Sequence, residues 1–172
     1  MSDQPQIRLQ LLSNPLFLSG AREMVYQFAS RCGFSDEACG QLALALDEAL
    51  CNVIRHGYGR AVDRPIWISL TFVGGIATPE TQRDNPTTAL QIVIEDEAKA
   101  VDPSTIKSRD LEEIRPGGLG VHIITEVMDS VRWEQRGSGL PGMRLTMIKR
   151  RADTPAPTSS DTASKPTSKE ST

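Results

Sequence analysis

The chain has no apolar run approaching the eighteen or so residues of a membrane-spanning helix. Its first ten residues, MSDQPQIRLQ, lack the apolar centre of a secretory signal. Positive charge is not in excess either, since 19 Lys and Arg against 22 Asp and Glu leave a formal net charge of -3. That balance offers no footprint for nucleic acid and no polybasic patch for a membrane surface. The one compact basic run, Lys149-Arg150-Arg151, is short and closes the patterned part of the chain. Cysteine is scarce, and Cys32, Cys39 and Cys51 show no metal-like spacing. An odd number of thiols, all in or beside helical patterns, argues against a disulfide framework and for a reducing cytoplasm.

What is present fits one domain over residues 1–151, followed by a tail over 152–172. The tail is almost wholly Ser, Thr, Pro, Ala, Asp and Lys, a composition that cannot offset the entropy of ordering it and predicts disorder. In the domain, Ile7, Leu9 and Leu11 alternate with polar residues and predict a first strand over 6–12. Ser13-Asn14-Pro15 then supplies a cap and a first-turn proline for a helix reaching Gly33. A second helix begins at Ser35, with Asp36 and Glu37 suiting its dipole, and stops at Gly57-Tyr58-Gly59. Residues 65–73 and 89–95 alternate as strands around a loop over 74–87, and the second strand delivers Asp96 at its end. The charged stretch KSRDLEEIRPGG predicts a mobile segment that closes over ligands. A third helix follows the Gly117–Gly120 turn, and 131–135 pairs with 143–149 as a closing hairpin. The order β-α-α-β-β-α-β-β predicts an α+β two-layer sandwich, with three helices on one face of a mixed sheet.

The chemistry gathers first in Leu44 to Tyr58, LALDEALCNVIRHGY. Leu42, Leu46, Ala49, Leu50, Val53 and Ile54 form the side that holds the helix to the sheet. Opposite them Glu48, Asn52 and His56 recur at every fourth position. A carboxylate, an amide and an imidazole so stacked could hold a divalent cation and a reacting hydroxyl. Mg²⁺ keeps several of its waters, so one oxygen from Asn52 would suffice as a protein ligand. The same pattern also describes the solvated face of an ordinary amphipathic helix. Further along, Asp96 could accept from an exocyclic amine such as N6 of adenine. Gly117, Gly118 and Gly120 open a helix whose bare amides could meet phosphate oxygens. Thr146 offers a hydroxyl to a ring nitrogen.

Glu48-x-x-x-Asn52-x-x-x-His56-Gly57-Tyr58, Asp96 and Gly118-x-Gly120 resemble, in order, the N-box and two glycine boxes of the GHKL ATPases, the Bergerat fold. The likeness covers about residues 6–150 and is nearest to the stand-alone bacterial anti-sigma-factor serine kinases, which share the His-Gly-Tyr ending and the Met-Asp-x-Val after the third helix. The resemblance implies ATP and Mg²⁺ as cofactors, with Asn52 coordinating the metal and Glu48 activating the attacking hydroxyl. It implies Asp96 on adenine, Thr146 in support, and Ala98, Asp102, His56, Gly117, Gly118 and Gly120 around the nucleotide. It further implies a homodimer that phosphorylates a STAS-domain antagonist and sequesters an alternative sigma factor. A histidine-kinase fragment fits less well, because neither His56 nor His122 reads as a phosphoacceptor.

One departure stands out. The first glycine box of that family reads Asp-x-Gly-x-Gly-Phe-Asp, whereas this chain has Asp96-Glu97-Ala98-Lys99-Ala100-Val101-Asp102. An alanine held at positive φ costs on the order of 1 kcal/mol, and its methyl can crowd a ligand. The expectation is therefore a nucleotide site that is present but weakened. Its alternative is a binding module that keeps the scaffold and does little or no chemistry.

Overall fold

The computed structural model describes residues 4–73, 89–106, 119–137 and 139–151. The expected loop over 74–87, the segment KSRDLEEIRPGG with Gly117 and Gly118, and the tail over 152–172 lie outside the described residues.

Strand β1 (Ile7–Leu12) leads through a short 3₁₀ turn, Pro15–Phe17, into helix α1 (Leu18–Arg31). Asn14 caps the turn by accepting from the Leu16 amide at 3.0 Å. Ser35 does the same for the Ala38 amide at 3.2 Å and starts helix α2 (Asp36–Asn52). The chain then widens into a π turn, Val53–Gly57, closed by the Tyr58 amide on the Val53 carbonyl at 2.8 Å. Strands β2 (Pro65–Val73) and β3 (Ala89–Asp96), helix α3 (Leu119–Val127) and strands β4 (Ser130–Gln135) and β5 (Met143–Arg150) complete the domain.

The strands make one sheet in the order β1-β2-β3-β5-β4. The two-layer α+β sandwich stands, but every described strand pair is antiparallel, where a mixed sheet was expected. The reason lies in the connections. Two helices between β1 and β2 carry the chain out and back, so it re-enters the sheet at the end it left. The connection between β3 and β4, which includes α3, does give two strands running the same way, but β5 inserts between them.

Register decides which side chains meet the helices. The row Leu9–Ile68–Ile94–Leu145–Trp133 runs across all five strands. With Ile66, Leu70, Leu90, Ile92 and Met147 it packs against Leu42, Leu46 and Leu50 of α2 and Ile124 of α3. Apart from the partly buried Leu9 and Trp133, these side chains are essentially withdrawn from water, each worth roughly 1.5–3 kcal/mol of burial. Asp96 pairs with Ile66 and stands two positions beyond Ile94, so the pleat turns it to the same helix-covered face. The last turn of α2, the end of β3, the start of β5 and the start of α3 therefore share one end of the sandwich.

Candidate nucleotide and phosphoryl-transfer site

At that end lies a cavity of about 290 Å³, close to the lower edge of the roughly 300–1,000 Å³ typical of ligand sites. Val53, Ala98, Val121, Trp133 and Met143 give it apolar walls, and Asn52, His56, Asp96, Lys99 and Thr105 supply polar groups. A larger hollow of about 640 Å³ between β1 and the start of α1 is lined by no ionisable side chain.

Glu48 and Asn52, one turn apart on α2, converge on the first turn of α3. A side chain at Gly120 would begin 2.7 Å from Glu48 Oε2 and 3.2 Å from Asn52 Nδ2. Gly120 is thus a close-approach glycine, and its absent Cβ lets α3 sit on the carboxylate and the amide. Asn52 Nδ2 is buried with no hydrogen-bond partner among the described residues. A buried, unpaired amide beside a cavity costs stability unless a ligand satisfies it. An amide and a neighbouring carboxylate fit a hydrated Mg²⁺ on a polyphosphate, which needs few protein oxygens. His56 lines the same cavity from the π turn, an irregularity that the helical spacing did not reveal.

Asp96 is only 5% exposed. Its Oδ1 accepts from the Ala98 amide at 2.8 Å and the Met143 amide at 3.1 Å. Both bonds fall on one oxygen, and Oδ2 takes none among the described residues, leaving an acceptor for a ligand. Burial pushes this carboxyl above the ordinary carboxylate range, against the opposing pull of the two amides and the Arg136 guanidinium.

The loop after Asp96 avoids the backbone conformation that its alanines would resist. Among the described residues Arg60 is the one non-glycine at positive φ, so Ala98 and Ala100 carry no left-handed strain. The Ala98 methyl is buried against Gly57, where an added Cβ would lie 3.0 Å away. Asp102 is exposed and caps a 3₁₀ turn, Pro103–Thr105, by accepting from the Ser104 amide at 2.9 Å. That bond holds its carboxyl below the usual range and ties it to local structure.

Thr146 does not reach the cavity. It pairs with Val93 and Arg132, while its neighbours Leu145 and Met147 belong to the core, so it occupies the opposite face of the sheet. The β5 residue at the site is Met143, through its amide and its side chain.

Sequence reasoning also missed three residues that frame Asp96. Tyr58 Oη donates to the Pro65 carbonyl at 2.6 Å and accepts from the Glu97 amide at 2.7 Å. Arg136 Nη1 donates to the Asp96 carbonyl at 3.1 Å. Gly142, at φ 105°, lies so close that a Cβ there would stand 1.8 Å from the Asp96 carbonyl oxygen. The only sequence signal among these was the Tyr58 in the His-Gly-Tyr ending.

The histidine kinase-like ATPase domain profile matches residues 13–149. The chain belongs to this family. A Listeria monocytogenes protein named Serine-protein kinase RsbW is 31% identical over 135 residues, spanning 74% of this chain and 78% of that protein. Proteins of the same name from Oceanobacillus iheyensis and Staphylococcus epidermidis are 27% and 26% identical, over 77% and 86% of this chain and 80% and 88% of theirs. Among solved structures, the mycobacterial sensor histidine kinase MprB covers 85% of this chain and is itself covered in full, at a TM-score of 0.43 and 13% identity. No described helix is long and apolar enough to cross a membrane.

Proposed function

We propose that this protein is an ATP-dependent protein serine/threonine kinase that also serves as an anti-sigma factor, phosphorylating a STAS-type antagonist. The observation that carries the reading is the convergence of Glu48 and Asn52 beneath Gly120, beside a cavity in which Asp96 presents a free carboxylate oxygen. The relatives named as serine-protein kinases support the same class.

In this reading the base enters between Ala98, Met143, Val53 and Trp133, and Asp96 Oδ2 accepts from its exocyclic amine. Asn52 holds Mg²⁺, which neutralises phosphate charge when bound. Glu48 orients the acceptor hydroxyl and takes its proton as the oxygen bonds to the γ-phosphorus and the bond to the β-phosphate oxygen breaks. The phosphate adds about -1.5 to -2 charges to the antagonist, which dissociates and leaves the kinase free to hold the sigma factor. A cytoplasmic homodimer is part of the same proposal.

The competing binding-module reading drew its force from the altered glycine box. The negative φ of Ala98 and Ala100 removes the backbone-strain argument for it. The test is a calorimetric titration with the Mg²⁺ complex of a non-hydrolysable ATP analogue, followed by transfer of labelled phosphate from ATP to partners captured from the native host. Binding and a labelled serine or threonine on a small partner support the kinase. A captured sigma factor without nucleotide binding or transfer would leave a sequestering module.

A further inference from the structure

The peptide unit between Asp96 and Glu97 is held from both ends by side chains that sequence reasoning gave no role. Its carbonyl accepts from Arg136 Nη1 at 3.1 Å, and its N–H donates to Tyr58 Oη at 2.7 Å. Neither side chain is loose. Tyr58 is anchored by its second bond to Pro65 at 2.6 Å, at the start of β2. Arg136 lies over the Trp67 ring at 4.8 Å and pairs with Glu95 at 3.6 Å and Glu97 at 3.8 Å. Arg144 pairs with the same Glu95 oxygen at 2.9 Å and completes the support on the outer face of the sheet. Gly142 gives up its Cβ so that its backbone can approach the gripped carbonyl.

A peptide plane held at both polar ends cannot rotate without breaking a bond, and its rotation would displace the backbone leading to Ala98, whose amide orients the Asp96 carboxylate. We propose that Tyr58 and Arg136 are positioning residues that lock the Asp96–Glu97 peptide and so aim Asp96 Oδ2 at the amine-bearing edge of the bound base. This rests on the nucleotide reading above and extends it. Pairs of glycines leave such a loop free to rotate, whereas this chain has alanines and an external grip. Neither residue lines the cavity, so each acts through Asp96.

The test uses the full chain and the variants Tyr58→Phe and Arg136→Met, with three Mg²⁺-bound probes measured by calorimetry. These are ATP, purine riboside triphosphate, which lacks the 6-amino group, and inorganic tripolyphosphate, which lacks the base. Amide exchange of Ala98 and Met143, the two donors to Asp96 Oδ1, is followed in parallel. The expected result is that both variants speed that exchange and lose roughly fivefold to twentyfold in ATP affinity, as for a hydrogen bond to a charged group. Affinities for purine riboside triphosphate and tripolyphosphate should stay within about twofold, which general loosening of the fold would not spare. Unchanged exchange and unchanged ATP affinity would overturn the positioning role and leave the nucleotide reading intact. A natural protein that does not distinguish ATP from purine riboside triphosphate would overturn both.

Discussion

The helix end of the site, Glu48 to Gly57, and the strand end, Asp96 to Asp102, reach one cavity with opposite hydrogen-bonding states. At the helix end Asn52 Nδ2 is buried and unpaired, and no bond to Glu48 is made among the described residues. At the strand end Asp96 Oδ1 accepts twice, its carbonyl is taken by Arg136, and the next amide is taken by Tyr58. In the kinase reading the difference follows from the work each end would do. Groups that meet a changing charge must keep their donors and acceptors for the reacting atoms, and the fold bears the cost of leaving them unpaired. A group that recognises a base must hold still, so its neighbours spend their bonds on it.

The comparison breaks most visibly at Glu48. Replacing it with Gln keeps volume and hydrogen bonding and removes the charge, so phosphoryl transfer should fall by about 10²- to 10⁴-fold. Nucleotide affinity and melting temperature should hardly move. An assay with labelled ATP and the captured antagonist measures the first, and unaltered transfer would reduce Glu48 to a surface carboxylate.

The strand end should fail through geometry instead. Gly142→Ala places a methyl group on the Asp96 carbonyl and forces a non-glycine to φ 105°, and should cost about 2–5 kcal/mol. Gly139 provides the control in the same turn. It also has positive φ, 85°, but nothing lies within 4 Å of an added Cβ, so Gly139→Ala should cost only about 1 kcal/mol. Urea unfolding of both variants tests the contrast, and equal losses would mean that the close approach to Asp96 is unimportant.

The two ends were not equally legible in the sequence. Glu48 and Asn52 declare themselves because a helix repeats every 3.6 residues and both lie on its polar face. Asp96 could be read as the last residue of a patterned strand. Thr146 was misplaced because alternation fixes which residues share a face but not which face meets the helices. Its pairing with Val93 and Arg132 settles that. The grip on Asp96 was invisible for a different reason. Tyr58 and Arg136 meet that peptide across 39 and 40 residues of chain, and no local period links residues so far apart. The antiparallel sheet was likewise decided by where β5 inserts, which strand patterns do not encode.

Burial of Asp96 supplies a smaller effect with a definite sign. Its carboxyl titrates above the ordinary range in the folded protein, so folding favours the protonated form. Stability from this group is then complete below the unfolded carboxylate range and is lost as pH rises through the raised folded value. Asp96→Asn, which keeps an acceptor for the two amides, should melt a few degrees higher than the natural protein at neutral pH. The gap should close as pH falls below the ordinary carboxylate range. The same variant should lose its preference for ATP over purine riboside triphosphate. A melting difference independent of pH would show that ionisation of Asp96 is not what the fold resists.

The smallest effect belongs to the alanines that replace glycines. If they blocked the base, restoring glycine would raise nucleotide affinity tenfold or more by relieving strain and a clash. The backbone gives no strain to relieve, because Ala98 and Ala100 stand at negative φ. The Ala98 methyl is also buried against Gly57 in a position that supports the cavity wall. Ala98→Gly therefore removes a packed methyl and frees the unfolded chain, costing about 0.5–1 kcal/mol of stability. Affinity for the Mg²⁺ complex of a non-hydrolysable ATP analogue should change by less than about threefold, since the substitution keeps the Ala98 and Met143 positions' backbone amides on the carboxylate and leaves the Asp96–Glu97 peptide held by Tyr58 and Arg136. The sharper form repeats the substitution in the Tyr58→Phe background. There the grip has lost one of its two anchors, and Ala98→Gly should weaken binding by more than it does alone, because both changes loosen the same stretch of backbone. Calorimetry on the two single variants and the double variant gives the coupling. A tenfold gain from Ala98→Gly alone would return the argument to a closed pocket and to the binding-module reading.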